Sequence, residues 1–249
     1  QNLKTPSASQ YYNLTLSDAS NSSTKTLLGS ISCQNNFILS GTASLNVGTN
    51  YNLTLGGNWS ITSTNADPFV EGNGTVFLNG TTAQTISTVL VGGETFYNLN
   101  LSGSGTKTLN TDITITNNLT SGSTFDTDNT GNYSITLGGN WANTGTFEPQ
   151  AGLVTLNGSG AQTLTGSTNF NNLTLNNTSG ASISSGTYNL YNTLTLSAGN
   201  FATNNSLTLV SNAAGTARID EITGGSISGD ITMQRYIAGG TTNWRFFSP

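Results

Sequence analysis

The sequence predicts an all-β protein whose strands stack into a parallel β-helix, or β-solenoid, with coils of about 20 residues. Three observations lead to this fold class. Short runs alternate apolar and polar residues, these runs recur at a nearly constant spacing, and a longer module repeats their order. No stretch carries apolar residues at the i, i+3, i+4, i+7 spacing for long enough to predict a helix.

The alternating runs are built on a motif of an aromatic or polar residue followed by Asn-Leu-polar-Leu. It reads YNLTL at 12–16 and 51–55, YNLNL at 97–101 and NNLTL at 171–175. Because successive side chains of a strand point to opposite sides, the leucines and the tyrosines face a core and the polar residues face outward. Looser copies between Gly, Asn, Ser and Thr clusters are further strand signals: 76–78, 113–115, 133–137, 154–156, 194–196 and 207–209.

The spacing of these runs sets the size of a coil. Ten steps from Leu16 to Leu209 cover 193 residues, a mean near 19. About a dozen coils, each rising roughly 4.8 Å, predict a rod of about 60 Å. The many Gly and Asn residues suit tight turns with positive φ. We expect inward asparagines of successive coils to stack as amide ladders that satisfy buried backbone groups.

A module of about 80 residues repeats within this pattern. NLTLGGNW at 52–59 returns as SITLGGNW at 134–141, GTVFLNGTTAQTI at 74–86 returns as GLVTLNGSGAQTL at 152–164, and FYNLNLSGSG at 96–105 returns as FNNLTLNNTSG at 170–180. A module of this length also suits tandem immunoglobulin-like β-sandwiches, which are the alternative fold. The scarcity of proline and the likeness of strands within one module favour the solenoid.

Composition narrows the function classes. Charged residues make up 7% of the 249 residues, the formal net charge is −5 and there is no histidine. Six scattered basic residues argue against nucleic-acid binding, which needs clustered Lys and Arg. No apolar run approaches the length of a membrane span. Cys33 is the single cysteine, so no internal disulfide can form; without a histidine partner we expect it to be a small buried residue rather than a nucleophile.

The chain divides into two parts by charge. Residues 1–209 are predicted to form the repeat region, and residues 210–249 to form the terminal coils and the start of a following segment, with a cluster of charges. Gln1 is not an initiator Met and no signal peptide precedes it, while the other end stops abruptly after the run Trp244-Arg245-Phe246-Phe247. We therefore expect the chain to be a window from a larger, processed protein.

The last 45 residues carry a resemblance to a known family. NSLTLVSNAAGTARIDEITGGSISGDITMQRYIAGGTTNWRFFSP at 205–249 follows repeats of the LNGSGAQT and FNNLTLNN type. This combination resembles large repetitive, adhesin-like surface proteins of Bacteroidetes-type bacteria. The resemblance implies export by type IX secretion, contact with that machinery during export, and an extracellular location at the cell surface. It supplies no catalytic residues.

Two sets of residues are candidates for binding. Asp126 and Asp128, in DTDNTG, alternate as the oxygen ligands of a calcium loop do. The bidentate Glu that should follow is missing, with Leu137 in its place, so a polar turn is favoured over calcium and no other cofactor is expected. Trp59 and Trp141 occupy equivalent GGNW turns; exposed, they could stack on sugar rings, and buried, they would cap the core.

Catalysis has no comparable candidate. Asp220 and Glu221 are adjacent, and neighbours on a strand point to opposite faces, so they make a poor acid/base pair. The sequence therefore predicts a structural or adhesive stalk of a secreted surface protein, not an enzyme. A glycan-binding β-helix module is the alternative, and a polysaccharide-degrading β-helix is the enzyme alternative. Surface glycans and other surface proteins are the partners considered.

Overall fold

The computed structural model describes residues 2–3, 10–19 and 24–237. These residues form a β-solenoid of parallel strands, with about 10 turns that follow one another at intervals of about 22 residues. The predicted fold class is confirmed, and the alternative of tandem sandwiches is wrong. The coils are slightly longer and fewer than expected, so their stack measures roughly 48 Å rather than 60 Å.

Each coil contributes strands to three faces. The first face carries eleven strands in parallel register, from one end of the described chain to the other. Its members are Gln10–Tyr11, Ile31–Cys33, Leu53–Leu55, Thr75–Leu78, Asn98–Leu101, Leu119–Ser121, Trp141–Asn143, Gln162–Thr165, Ala181–Ile183, the end of Tyr188–Ala202, and Gly225–Ser228.

The second face begins with a seven-stranded parallel sheet. Its strands are Leu14–Asp18, Phe37–Gly41, Trp59–Ile61, Gln84–Thr88, Lys107–Leu109, Thr124–Asp126 and Thr146–Glu148. This face continues with the beginnings of Thr168–Asn176 and Tyr188–Ala202, and then with Leu207–Leu209 and Ile231–Met233. Backbone pairing is interrupted between these two parts, where Phe147 packs on Phe170 at a ring-centroid distance of 6.0 Å.

The third face is also made of two sheets. Asn2–Leu3, Thr24–Leu27, Ser44–Asn46 and Phe69–Val70 form the first. The second sheet consists of Glu94–Phe96, Ile113–Ile115, Ile135–Leu137, Leu153–Leu156, the later parts of Thr168–Asn176 and Tyr188–Ala202, and Arg218–Ile219. Here the interruption lies between Phe69 and Phe96, whose rings are 6.3 Å apart.

The core is one continuous stack of inward side chains. On the third face, Ile113, Ile135 and Val154 lie above one another, and each is almost completely buried. The alternation predicted for the strands accounts for this arrangement, because the leucines and isoleucines of every run share the inward side. No coil can bury its inner surface without its neighbours, so the stack is stabilised as a unit.

The expected inward asparagine ladder is wrong in position. The asparagines form ladders at the corner between the first and second faces: Asn36 Oδ1 accepts a hydrogen bond of 2.8 Å from the Asn58 amide, and Asn58 Oδ1 accepts one of 3.0 Å from the Thr85 amide. Asn118 and Asn140 repeat this contact at 2.8 Å at another corner, between the third and first faces. A polar amide is satisfied more easily at a corner, where backbone N–H groups lack a ladder partner.

Single buried asparagines, Asn143 and Asn177, bond turn carbonyls from the inside without forming a ladder. Two buried glutamines satisfy turn backbone groups at equivalent places of the two modules. Gln84 Nε2 donates to the carbonyl of Leu55 at 3.1 Å and to that of Gly57, and its Oε1 accepts from the Gly80 amide at 2.7 Å. Gln162, in the second module, makes the same three bonds, with Leu137, Gly139 and Gly158 as partners. Both side chains are buried. The AQT of each module therefore closes a turn from within.

The module spans a non-integral number of coils. Leu53–Leu55 lies on the first face, whereas its counterpart Ile135–Leu137, eleven strands later, lies on the third. Trp59 of the second face likewise corresponds to Trp141 of the first. With three strands per coil, a module occupies three and two-thirds coils. Equivalent segments are thus rotated by about one-third of a turn around the rod axis.

Residues 210–237 extend the stack. Gly225–Ser228 pairs with the end of Tyr188–Ala202, and Ile231–Met233 pairs with Leu207–Leu209. The following segment predicted beyond these coils falls on residues 238–249, outside the described residues. The part of the chain that the structure describes contains no helix that could cross a lipid bilayer.

Candidate functional site

A groove opens at the corner between the second and third faces, near the last coils. In two successive coils the chain passes this corner without a turn, because Thr168–Asn176 and Tyr188–Ala202 each run through it as one strand with irregular register. The next coil inserts residues 210–217 at the same corner. The inserted residues project over the preceding coils and form one wall of the groove.

The projecting wall is a small antiparallel hairpin. Ser211–Asn212 pairs with Gly215–Thr216. Asn212 Oδ1 accepts hydrogen bonds from the amides of Ala214 and Gly215 at 2.8 and 3.2 Å, and the hydroxyls of Ser211 and Thr216 are 2.6 Å apart. All of these contacts lie within the hairpin, so its hydrogen bonds do not depend on the groove.

The groove has a volume of about 960 Å³. Its opposite wall is the segment 146–151, its floor comes from the two coils between, and Arg218 lies at its far side. The floor presents Asn169, Asn171, Tyr191 and Asn192. A volume of this size accommodates a small organic ligand or several units of a polymer.

The floor offers hydrogen-bonding groups that the protein does not use. Asn169 and Asn171 each accept an amide hydrogen bond of 3.0 Å through Oδ1, which leaves their Nδ2 groups without a partner among the described residues. Asn192 Nδ2 donates to Asn172 Oδ1 at 2.9 Å, and Asn192 Oδ1 is free in the same sense. An asparagine amide can donate twice and accept twice, so the floor retains both donors and acceptors.

Two larger side chains complete the site. Tyr191 is 39% exposed and presents its ring at the corner. The guanidinium of Arg218 has no hydrogen-bond or ion-pair partner within the described ranges, although it can donate five hydrogen bonds. Glu148 is the one carboxylate among the lining residues. Glycoside hydrolysis in its usual form uses two carboxylates, and this lining supplies one.

The groove continues at both ends. A depression of about 300 Å³ shares Thr146, Phe147 and Asn169 with it and is otherwise lined by Ser, Thr, Asn and Gly residues of the second face. A depression of about 370 Å³ shares Asn192 and Arg218 and extends over Thr174 and Thr195 of the third face. The three hollows form one extended, polar track around the corner.

A second cleft occupies the equivalent place in the first module. Its volume is about 550 Å³, and it lies between residues 63–69 and 89–95, where the third face is interrupted. Glu94 is only 2% exposed at its inner end. Its carboxylate accepts a hydrogen bond of 3.1 Å from Trp59 Nε1 and one of 3.3 Å from the Thr95 amide. In the second module Thr168 replaces this glutamate and accepts from Trp141 Nε1 at 3.1 Å.

Burial dominates the electrostatics of Glu94. Desolvation raises the pKa of its carboxyl from 4.5 to about 7, the hydrogen bonds from Trp59 and Thr95 oppose this rise, and the charges of Glu71 and Asp67 add to it. Burial also raises the pKa of Glu71. Because the Glu94 carboxyl points at the Trp59 indole in the core, it is placed to affect stability rather than to meet a substrate.

Lys107 is another buried charged residue that the sequence did not reveal. Its Nζ donates to the carbonyl oxygens of Gly80 and Gly105 at 3.0 and 2.6 Å. It lies directly above Gln84 on the second face and, like Gln84, satisfies turn carbonyls from within. Desolvation lowers the pKa of this amine. Its contacts are structural.

Asp126 and Asp128 are engaged by protein donors. Asp126 Oδ1 accepts from the Asp128 amide at 3.0 Å and from Gln150 Nε2 at 2.9 Å, and Asp128 Oδ2 accepts from the Gly131 amide at 2.9 Å. Asp128 has a φ of 62°, as expected for a turn. Within the described ranges, no group of three or more His, Cys, Asp or Glu residues is arranged to hold a metal ion. The polar-turn interpretation describes this geometry.

Of the two roles considered for Trp59 and Trp141, the structure supports the capping of the core and not the contact with a glycan. Both indoles are buried in the core, at 0% and 1% exposure. Each packs in a triad with two phenylalanines: Phe69 and Phe96 surround Trp59, and Phe147 and Phe170 surround Trp141, at centroid distances of 4.6 to 5.3 Å. Glycine allows this close packing in the GGNW turn because it has no Cβ. A Cβ on Gly57 or Gly139 would overlap the backbone of the preceding coil.

The remaining residues singled out in the sequence lie apart from the groove. Cys33 is buried, and desolvation raises the pKa of its thiol to about 12. Asp220 and Glu221 are exposed, and Asp220 Oδ1 accepts a hydrogen bond of 3.0 Å from the Glu221 amide. Apart from Asn171, which begins the NNLTL run at 171–175, the floor residues belong to no motif recognised in the sequence; the hairpin signal SNAAGT at 211–216 between two strands was the available clue.

Comparisons with known proteins give no family. No protein-family model, no curated protein and no solved structure matches the chain.

Proposed function

We propose that this chain is a rigid spacer in a secreted bacterial surface protein, where it holds other parts of that protein away from the cell. The observation that carries the proposal is the uninterrupted first face, in which eleven strands pair in parallel over the described coils. A flexible linker of similar length explores many end-to-end distances, whereas a continuous β-ladder fixes one.

The surface chemistry is consistent with this function. The low charge and the many Thr, Ser and Asn residues give a polar exterior without a strong electrostatic field, and the backbone of each inner coil is engaged by its neighbours. Such a backbone offers few extended, unpaired segments to proteases. The extracellular location and the type IX export route rest on the resemblance of residues 205–249 and belong to the proposal.

A deletion of two whole coils tests the spacer function. Removal of residues 99–140 joins Asn98 to Trp141, and because Leu99, Leu119 and Trp141 are in register, each face loses two strands without a shift. We expect the shortened chain to fold and to be about 10 Å shorter. With the chain placed between a membrane anchor and a fluorescent reporter, energy transfer to a membrane dye should report that decrease in height.

The control is a matched pair of labels in solution. Thr15 and Thr232 are exposed on the second face near opposite ends, and spin labels there should give a narrow distance distribution near 48 Å, shortened by about 10 Å in the deletion variant. A reporter height that does not change although the rod shortens would refute the spacer function. A broad distance distribution would refute the rigidity on which it depends.

A further inference from the structure

We propose that the groove at the corner of the second and third faces binds a linear oligosaccharide, as a function additional to the spacer role. The lining joins one exposed aromatic ring, unused side-chain amides and one unpaired guanidinium in a track that runs around this corner. A sugar ring presents an apolar C–H face and a rim of hydroxyls. The Tyr191 ring can stack on the C–H face, and the side-chain amides of Asn169, Asn171 and Asn192 can hydrogen-bond to the hydroxyls.

The shape of the track favours a chain over a single sugar. The central groove and its two extensions share lining residues, so a ligand can pass from the second face past Tyr191 to Arg218 without leaving a hollow. Asn169 and Asn171 come from one coil and Asn192 from the next, so side-chain amides are spread along this path and can meet the hydroxyls of neighbouring sugars.

The chemistry of the walls disfavours an extended peptide. Peptide grooves supply either an open strand edge or apolar pockets for side chains. The floor strands are paired on both sides within the third face, and an unpaired edge lies on the second face, where Thr146–Glu148 faces the beginning of Thr168–Asn176. Apart from Tyr191, the floor side chains between the two walls are asparagines, which do not form the apolar pockets that a peptide's side chains need. The groove offers donors and acceptors spread along its length, which is what a polyhydroxylated chain requires.

Isothermal titration against a panel of hexasaccharides tests the proposal. Cellohexaose, laminarihexaose, mannohexaose and hexagalacturonate serve as probes for the complete 249-residue chain. We expect saturable binding of at least one probe, weakened at least tenfold by Tyr191→Ala and retained in Tyr191→Phe, because stacking needs the ring alone. Tyr51→Ala is the matched control, since Tyr51 is 37% exposed but lies outside the groove; it should bind as the unmodified chain does.

Arg218→Gln distinguishes neutral from acidic sugars. A loss of binding confined to hexagalacturonate means that the guanidinium seats a carboxylate, and an equal, small loss for the neutral probes means that it donates to hydroxyls; either result supports the groove. Absence of saturable binding across the panel overturns the proposal, as does binding that Tyr191→Ala leaves unchanged. Because the spacer test measures height and distance, its outcome is independent of this one.

Discussion

The free energy of unfolding is expected to fall by about 3 kcal/mol as the pH rises from 4.5 to 8, because of one buried carboxyl. The pKa of Glu94 is about 7 in the folded protein and 4.5 when the group is exposed to water. The folded state therefore binds its proton more tightly. This contribution to stability is complete below pH 4.5, decreases between pH 4.5 and 7, and is lost above pH 7. Urea denaturation at a series of pH values measures it.

Two substitutions separate this carboxyl from the others. Glu94→Gln retains an acceptor for the Trp59 indole and cannot titrate. Most of the decrease in the free energy of unfolding between pH 4.5 and 7 should therefore disappear, and with it most of the slope of that free energy against pH. Glu148→Gln removes an exposed carboxylate and should leave the slope in place. An unchanged slope in Glu94→Gln would show that this buried group is not the source. Glu71, whose pKa is also raised, would account for the remaining slope in the expected result.

Trp59→Ala should lower the free energy of unfolding by about 4 kcal/mol, the typical cost of removing a buried tryptophan. The indole fills the space between Phe37, Phe69 and Phe96, with centroid distances of 4.6 to 5.2 Å, so its removal leaves a cavity in the core. It also takes away the donor to the Glu94 carboxylate. That bond is stronger when the acceptor is charged, so the loss should be greater at pH 8 than at pH 5.

The second module supplies the comparison for this substitution. Trp141→Ala removes an equivalent indole, but its acceptor is the hydroxyl of Thr168, which does not titrate. Its cost should be of similar size and should not depend on pH between 5 and 8. Tyr12→Ala, at a side chain that is 70% exposed, should cost less than about 0.5 kcal/mol. Equal pH dependence in both tryptophan variants would contradict the role assigned to Glu94.

The repeating part of the fold could be predicted from the sequence because one rule governs it. Leu53 and Leu55, like Leu99 and Leu101, share one parity within their strands, and all four are buried. A row of such positions at a nearly constant spacing leaves few ways to bury apolar surface other than by stacking. The use of glycine in tight turns could be predicted equally well. Gly72, for example, has a φ of 55°, and a Cβ there would overlap the Gly48 carbonyl.

The rotation between modules could not be predicted in the same way. All strands carry the same alternation, so the sequence does not mark whether Leu53–Leu55 and Ile135–Leu137 belong to one face or to two. The answer depends on the number of strands between them, and weak strands such as Phe69–Val70 and Thr124–Asp126 were not recognised individually. Buried Glu94 and Lys107 were missed because a charged residue at an inward parity resembles an outward one until its neighbours are known.

The candidate site was out of reach for a different reason. The groove arises where one coil inserts a hairpin and the two preceding coils do not, so it depends on differences between coils rather than on their common pattern. Sequence reasoning placed possible sugar contacts at Trp59 and Trp141 because aromatic residues in repeated turns stand out. Tyr191, which is exposed at the corner, belongs to no repeated motif.

The fractional length of the module has a consequence for longer arrays built from it. Each further copy would be rotated by one-third of a revolution and shifted by about 18 Å along the axis. After eleven coils, the fourth copy would have the same orientation about the axis as the first. Clefts of one kind would then wind about the shaft as a helix with threefold screw symmetry. A rod of this kind would present the same set of contacts to a neighbouring cell or polymer from each of three directions around its axis.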